Sequence, residues 1–401
     1  MRLKLSLFLL TLPLATWAQD PLTEATAVRL GLARADLVDL ERGAVQAAEA
    51  DVVAAGVYPN PTLSYSRERI GGSPDAVDES FMLAQTLDLS GRRGLLREAA
   101  SRRVDAASAS NAKRQLDVAA EIRRSFSAAL LGQEMIRATE TWARRFAQVE
   151  GRVSKLARAG DASGYDRRRI ERERLTAEAQ LAAARAEQMG TLSRLTALTG
   201  QTGEPKLSGE PLPPPLPPAA AALARLDQRP DLKALIQRAE AAELAGRAAQ
   251  RGGIPDVTVG IGIKRVDMGL IRESGPMVAL SIPLPLFDRQ QADFQRAAAE
   301  DLQARAEFGL TRSRALGELR GMHGQAEGLR AAAANYRRSA LALSPELLRI
   351  AEAAYQGGES SLLELLDAYR GALEAETTAL ELEQRAREAR IEYDLLTGST
   401  E

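Results

Sequence analysis

Tyr355-Gln-Gly-Gly-Glu-Ser-Ser-Leu-Leu-Glu-Leu-Leu-Asp367 separates two long helical patterns and so reads as the tip of a helical hairpin. Gly357 and Gly358 end the incoming helix, because glycine accepts the left-handed backbone that a helix end needs. Ser360 or Ser361 then caps the helix that returns. On that helix Leu362, Leu366, Tyr369, Leu373 and Leu380 form an apolar stripe at helical spacing. Glu364 and Asp367, three residues apart, share the opposite face.

The tip has a counterpart upstream. Gly160 and Ser163 match Gly358 and Ser361 at an offset of 198, and Leu198-Thr-Gly200 matches Leu396-Thr-Gly398 at the same offset. Further matches follow in order: Ala35-Asp-Leu37 with Pro230-Asp-Leu232 at 195, Tyr58-Pro-Asn60 with Ile254-Pro-Asp256 at 196, and Leu87 to Arg92 with Leu284 to Arg289 at 197. Such a period is too long for a solenoid. It marks one large unit used twice, over residues 19–200 and 219–401, joined by a Pro-rich linker at 201–218 that reads as extended.

Each unit runs helix, strand, strand, long helix, tip, helix. The first helices are expected over 21–56 and 219–251, with Pro59, Pro61 and Pro255 barring their continuation. Strands are expected at about 62–69 and 80–89, then at about 256–265 and 277–285. The clearest alternation is Val257, Val259, Ile261, Ile263 against Thr258, Gly260, Gly262, Lys264. It fits a membrane barrel strand and equally a half-buried strand of a soluble sheet. Arg92 to Arg158 is a helical pattern of 67 residues, ~100 Å at 1.5 Å per residue, and its copy runs from Arg289 to Gln356. Helices of that length pack along others for their whole span. Four strands do not close a membrane barrel, which needs at least about eight, so more than one copy of the chain is expected.

Composition agrees. Among 401 residues aromatics make up only 4%, and Ala, Leu, Arg, Glu and Gln dominate after Arg92, which suits long helices with thin seams of packing. The 53 basic and 54 acidic residues are interleaved, for a net charge of −1, which argues against nucleic acid as a partner. No cysteine is present for disulfides or a lipid anchor. Residues 1–18 read as a secretory signal, with Arg2 and Lys4 before the apolar run Leu5 to Ala15. No catalytic, cofactor or metal set is visible. His323, the only histidine, lies between Gly321 and Gly324 in a helical stretch, and Gly260-Ile-Gly262 lacks the following helix of a dinucleotide site. Glu364 and Asp367 admit two readings: a carboxylate ring facing a lumen, or first-turn acids favoured by the helix dipole. The positions that match them upstream are Asp166 and Arg169.

Arg229-Pro-Asp-Leu232, Pro59-Asn-Pro-Thr-Leu63, Pro283-Leu-Pro-Leu-Phe-Asp-Arg289, and Tyr355-x-x-Gly358 followed by Leu365-Leu-Asp367 occur in order within this duplicated frame. Together they resemble the TolC-like outer-membrane efflux protein family, and the segment ending at Arg289 is similar to its heavy-metal efflux branch. The resemblance implies a mainly α fold with a small β part, as a homotrimer whose twelve-stranded barrel in outer-membrane lipid continues into a periplasmic α-helical barrel. It implies a passive duct that docks to a periplasmic adaptor, or membrane fusion protein, and through it to an inner-membrane pump of the resistance-nodulation-division type. Adaptor contacts would fall at the tips, on Arg158, Gly160, Asp161 and Ser163 and on Tyr355, Gly357, Gly358, Glu359, Ser360 and Ser361. Glu364 and Asp367 match the family's acidic gate. The other functions weighed are a periplasmic adaptor or coiled-coil scaffold and a duct for type I protein secretion. Few Trp or Tyr mark a membrane interface, and Arg67 and Arg69 call for a place at the outer rim.

Overall fold

Helix ends and strand ends follow local chemistry that the broad periodicity does not register. The structure is a computed structural model that describes residues 21–72 and 76–399; the expected signal segment lies outside them. In chain order the elements are α1 (Glu24–Leu32), α2 (Ala35–Gly56), β1 (Thr62–Ile70), β2 (Ala76–Leu87), α3 (Arg92–Ala159), α4 (Gly164–Thr199), α5 (Ala219–Ala224), α6 (Pro230–Gln250), β3 (Val257–Asp267), β4 (Arg272–Ser281), α7 (Gln291–Tyr336), α8 (Ala342–Gln356) and α9 (Leu362–Thr397). The fold is mainly α with one small antiparallel sheet.

The expected first helices are each interrupted. Arg34 takes extended backbone and ends the run that α1 began, while its guanidinium pairs with Asp36 in the first turn of α2. Arg229 does the same before α6, pairing with Asp231 at 2.7 Å beside Pro230 at the first helical position. Burial pushes the Asp231 carboxyl up, but the Arg229 hydrogen bond and charge outweigh it and hold it below the usual range. The Arg-x-Asp pattern is therefore a helix start. The copy of the long helix is interrupted too: a π turn, Arg337–Leu341, separates α7 from α8, and Pro345 lies inside α8.

The chain divides into two compact units. One contains Leu32–Ala120, Pro214–Leu329 and the C-terminal end, and holds the sheet. Its strands run in the order β1-β2-β3-β4, all antiparallel. Register places Leu63, Leu83, Ile261 and Val278 in one row, and Tyr65, Phe81 and Ile263 in the next. The first row is bare, at 74%, 47%, 62% and 77% exposure. The opposite face carries Ser64, Ser66, Ser80, Ala84, Gly260 and Gly262, with Met82, Lys264 and Met277 among them. A Cβ at Gly262 would meet the Phe81 carbonyl oxygen at 2.2 Å, so this position needs glycine.

β2 and β4 begin four and five residues earlier than the apolar alternation suggests. The ladder there continues through charged cross-strand pairs, Arg67 with Glu79 and Lys264 with Asp78 at 2.8 Å on β2, and Arg272 with Asp267 at 2.8 Å on β4, which hydrophobic period two does not reveal. Both strands also end earlier. Pro283 and Pro285 lack the N–H that a ladder needs, and Asp88 turns the chain by accepting from the Ser90 N–H at 2.9 Å.

The other unit contains the chain up to Gly31, Glu121–Pro213 and Arg330–Arg387. Its core joins Trp142, Phe146 and Val153 of α3, Ile170 and Ala177 of α4, Leu348 of α8, and Leu362, Leu366 and Tyr369 of α9. The linker is held rather than free. Within this unit Arg387 donates to the Pro211 carbonyl at 2.9 Å and Arg330 to Pro213 at 3.0 Å; in the sheet unit Arg390 donates to Pro214 and Pro215. Proline's carbonyls have no ladder partner, and arginines supply one.

Candidate functional site

Both tips lie in the second of these units. α3 ends where Gly160 turns left-handed at φ 88° and the Asp161 N–H donates to Leu156. Ser163 then caps α4, its Oγ accepting from the Asp166 N–H at 3.0 Å while donating to the Asp166 carboxylate. α8 ends alike, with Gly358 at φ 75° and the Glu359 N–H donating to Ala354 at 2.9 Å. Of the two candidate serines Ser361 is the cap. Its Oγ accepts from the Glu364 N–H, and Glu364 Oε2 accepts from the Ser361 N–H at 2.7 Å, a reciprocal capping box. The Ser360 hydroxyl is buried without a partner.

Arg158, Gly160, Asp161, Ser163, Gly357, Gly358, Glu359 and Ser361 are exposed, whereas Tyr355 is half-buried against the core. Burial, and secondarily the Asp166 carboxylate, push the Tyr355 phenol above its ordinary range. The two acids of α9 differ in their hydrogen bonds. Glu364 is committed to the cap, while Asp367 is exposed and has no side-chain partner among the described residues. Both acids line one open groove, with Leu347 and Ile350 of α8 and Leu363, Ala368 and Gly371 of α9.

Three polar ties around these tips escape sequence reasoning. Arg370 of α9 donates to Glu173 of α4, with Nε to Oε2 at 3.0 Å, and Arg172 meets the same carboxylate. Burial pushes the Glu173 carboxyl up, but the hydrogen bonds from Arg370 and Arg172 outweigh it and hold it below the usual range. Trp142 donates to Glu376 at 2.7 Å, and Tyr369 donates to Glu352 at 2.7 Å. Burial first, and the Glu352 hydrogen bond second, raise the Tyr369 phenol. One signal was available: Arg172 and Arg370 stand 198 residues apart, the offset of the tips, so one repeated arginine meets a single glutamate from two sides.

His323 belongs to the packing of the sheet unit. It bonds the Pro217 carbonyl oxygen at 3.2 Å and lies edge-on to Tyr393. Among the described residues no cluster of three His, Asp or Glu is arranged to hold a metal ion, and no described helix is long and apolar enough to cross a membrane.

Residues 224–399 match the family model described as outer membrane efflux protein. The chain is 27% identical to the cobalt-zinc-cadmium resistance protein CzcC of Cupriavidus metallidurans, over 95% of this chain and 91% of that protein. It is also 27% identical to the nickel-cobalt-cadmium resistance protein NccC of Alcaligenes xylosoxydans xylosoxydans, over 67% and 63%. Among solved structures it shares the fold of CusC, with a TM-score of 0.78 at 20% identity over 94% of this chain and 92% of that one. The outer membrane protein VceC of Vibrio cholerae aligns at a TM-score of 0.76 and 19% identity, over 94% and 97%.

Proposed function

We propose, from the premise that this chain carries an outer membrane efflux protein domain, that it is the outer-membrane channel of a tripartite efflux system and passes heavy-metal cations out of the cell. The observation that carries this reading is the bare apolar row Leu63, Leu83, Ile261 and Val278, backed by a face on which Ser, Ala and Gly outnumber Met82 and Met277. In water such a row costs about 25 cal/mol per Å²; against lipid it costs nothing, and the small polar face suits a water-filled lumen. Four strands with unpaired edges at β1 and β4 would close with those of two further copies into a twelve-stranded trimer. The metal-resistance names of the relatives support a cationic cargo. The tips would dock to a periplasmic adaptor that leads to an inner-membrane pump. Nothing in this reading requires catalysis by the chain.

Asp367, solvated and unpaired, is the residue that would ring the lumen beside the second tip, with Glu364 holding the helix start. Two measurements test this. The protein should fractionate with the outer membrane as a detergent-requiring trimer; recovery from the soluble periplasm overturns the channel. In planar bilayers Asp367→Ala should raise conductance and weaken block by divalent cations more than Glu364→Ala does. Equal or absent effects remove Asp367 from the gate.

A further inference from the structure

The four strands join in hairpins at one end of the sheet, between Ile70 and Ala76 and between Asp267 and Arg272, and lead toward helices at the other. Toward the hairpins the bare face changes character in one step. Its row of Leu63, Leu83, Ile261 and Val278 is followed by Tyr65, Phe81, Ile263 and Pro276, all without charge. The next row on that face is Arg67, Glu79, Arg265 and Ser274, and the last is Arg69, Val77, Asp267 and Arg272.

These arginines are only partly committed to acids. Arg67 Nε lies 3.6 Å from Glu79, which also accepts from the Tyr65 hydroxyl at 3.2 Å, and Arg272 pairs with Asp267 at 2.8 Å. Arg69 and Arg265 are exposed and have no hydrogen-bond or ion-pair partner among the described residues. Arg67, Arg265 and Arg272 line one open depression together with Glu79, Asp267 and Glu273. On the opposite face the one cation at this level, Lys264, is already paired with Asp78.

Free guanidiniums directly above an apolar band call for an anion held against the same face. A guanidinium offers a planar fork of donors that matches phosphate, and charge is tolerated on a lipid-facing strand only near the interface. An amphiphile is matched at both ends here, its acyl chains against Tyr65, Phe81 and Ile263 and its headgroup against the arginines. Arg69 stands on β1 and Arg265 on β3, with β2 between them. Their backbones are therefore roughly 10 Å or more apart across the sheet, a separation that suits a headgroup with two phosphates. We infer that this end of the bare face is a lipid site. Arg69 and Arg265, with Arg67 and Arg272 beside them, hold the phosphates of a diphosphorylated glycolipid of the outer leaflet. The site rests on the channel reading, since a chain outside that membrane does not meet such a lipid.

Lipid A is the probe. The full chain, purified in a neutral detergent and titrated with lipid A, should carry lipid adducts in native mass spectrometry. Arg69→Gln with Arg265→Gln should cut the bound fraction at low lipid about tenfold, because two charge-assisted phosphate contacts are lost. Arg265→Gln alone, the milder variant, should fall part of the way. The double Lys variant keeps the charge without the fork and should lose less than the double Gln variant. Lys264→Gln, on the opposite face, should bind as the parent does, and monophosphoryl lipid A should bind the parent more weakly than lipid A. Equal binding by the parent and the Gln variants overturns the site. Displacement by millimolar inorganic phosphate overturns it in favour of a free-anion site, and phosphatidylglycerol bound as tightly as lipid A overturns it in favour of a general anionic surface. Recovery of the protein from the soluble periplasm removes the channel and this site together, whereas an outer-membrane protein whose Gln variants still bind lipid A loses the site alone.

Discussion

At the tip between α3 and α4, Ser163 caps a helix whose first turns carry Arg167, Arg168, Arg169 and Arg172; at the tip between α8 and α9, Ser361 caps one that carries Glu364 and Asp367. The left-handed glycine and the capping serine recur because backbone geometry demands them. The charges are free to differ, and they do. The difference is also used: Arg370, on the helix returning from the second tip, reaches across to Glu173 on the helix returning from the first. The tips are thus equivalent in backbone and complementary in side chains.

The sharpest way to break that complementarity is Arg370→Ala. It leaves the buried Glu173 carboxylate with Arg172 alone, and should lower stability by about 3 kcal/mol. Arg172→Ala, which removes the more exposed arginine, should cost about 1 kcal/mol or less. Thermal unfolding of the detergent-solubilised protein distinguishes them, and equal losses would mean that the two arginines are interchangeable.

Backbone equivalence predicts a smaller and symmetric effect. Neither Gly160 nor Gly358 has an atom within 4 Å of an added Cβ, so alanine there pays only for the left-handed backbone. Each substitution should cost about 1–2 kcal/mol, while Gly164→Ala, equally open but without positive φ, should cost nothing. Unequal costs at 160 and 358 would show that one tip is pinned by its surroundings.

Next come the caps. Ser163→Ala and Ser361→Ala should each lose about 1 kcal/mol, since each removes the hydroxyl that caps its helix and binds the acid three residues on, but in the second the Glu364 carboxylate keeps its bond from the backbone N–H of residue 361. Amide hydrogen exchange should therefore quicken more across 163–167 in Ser163→Ala than across 361–365 in Ser361→Ala. The mildest test is acid. The folded Glu173 carboxyl is held below its ordinary value, so the stability it contributes is present above the ordinary glutamate range, roughly pH 4–5, and is lost as pH falls through the lower folded value. Arg370→Ala should flatten that dependence below pH ~4; an unaltered acid limb would place the linkage on other carboxylates.

Features that depend on neighbours in the chain could be read in advance. Glycine, serine and proline act within four residues of themselves, so the tips and the duplication stand in plain view. The charged ends of the strands could not be read from alternation, because Arg67 finds Glu79 and Lys264 finds Asp78 only once register is set. The π turn showed only as a drift of one residue in the repeat offset, and drift has no address. The acids told apart by the structure, Glu364 in its cap and Asp367 without a partner, share one face at one spacing, which gives no ground for choosing between them.

Local backbone chemistry and periodicity, both written in the order of residues, by themselves determined two copies of a helix-strand-strand-helix-helix unit, their tips and the small, alternating strands. Tertiary structure alone decided where buried charge goes. Glu173 and Glu383 become low-exposure carboxylates because helices distant in the chain bring Arg370 and Arg337 to them. A charge leaves water only when its partner is already in place, and that partner is supplied by packing.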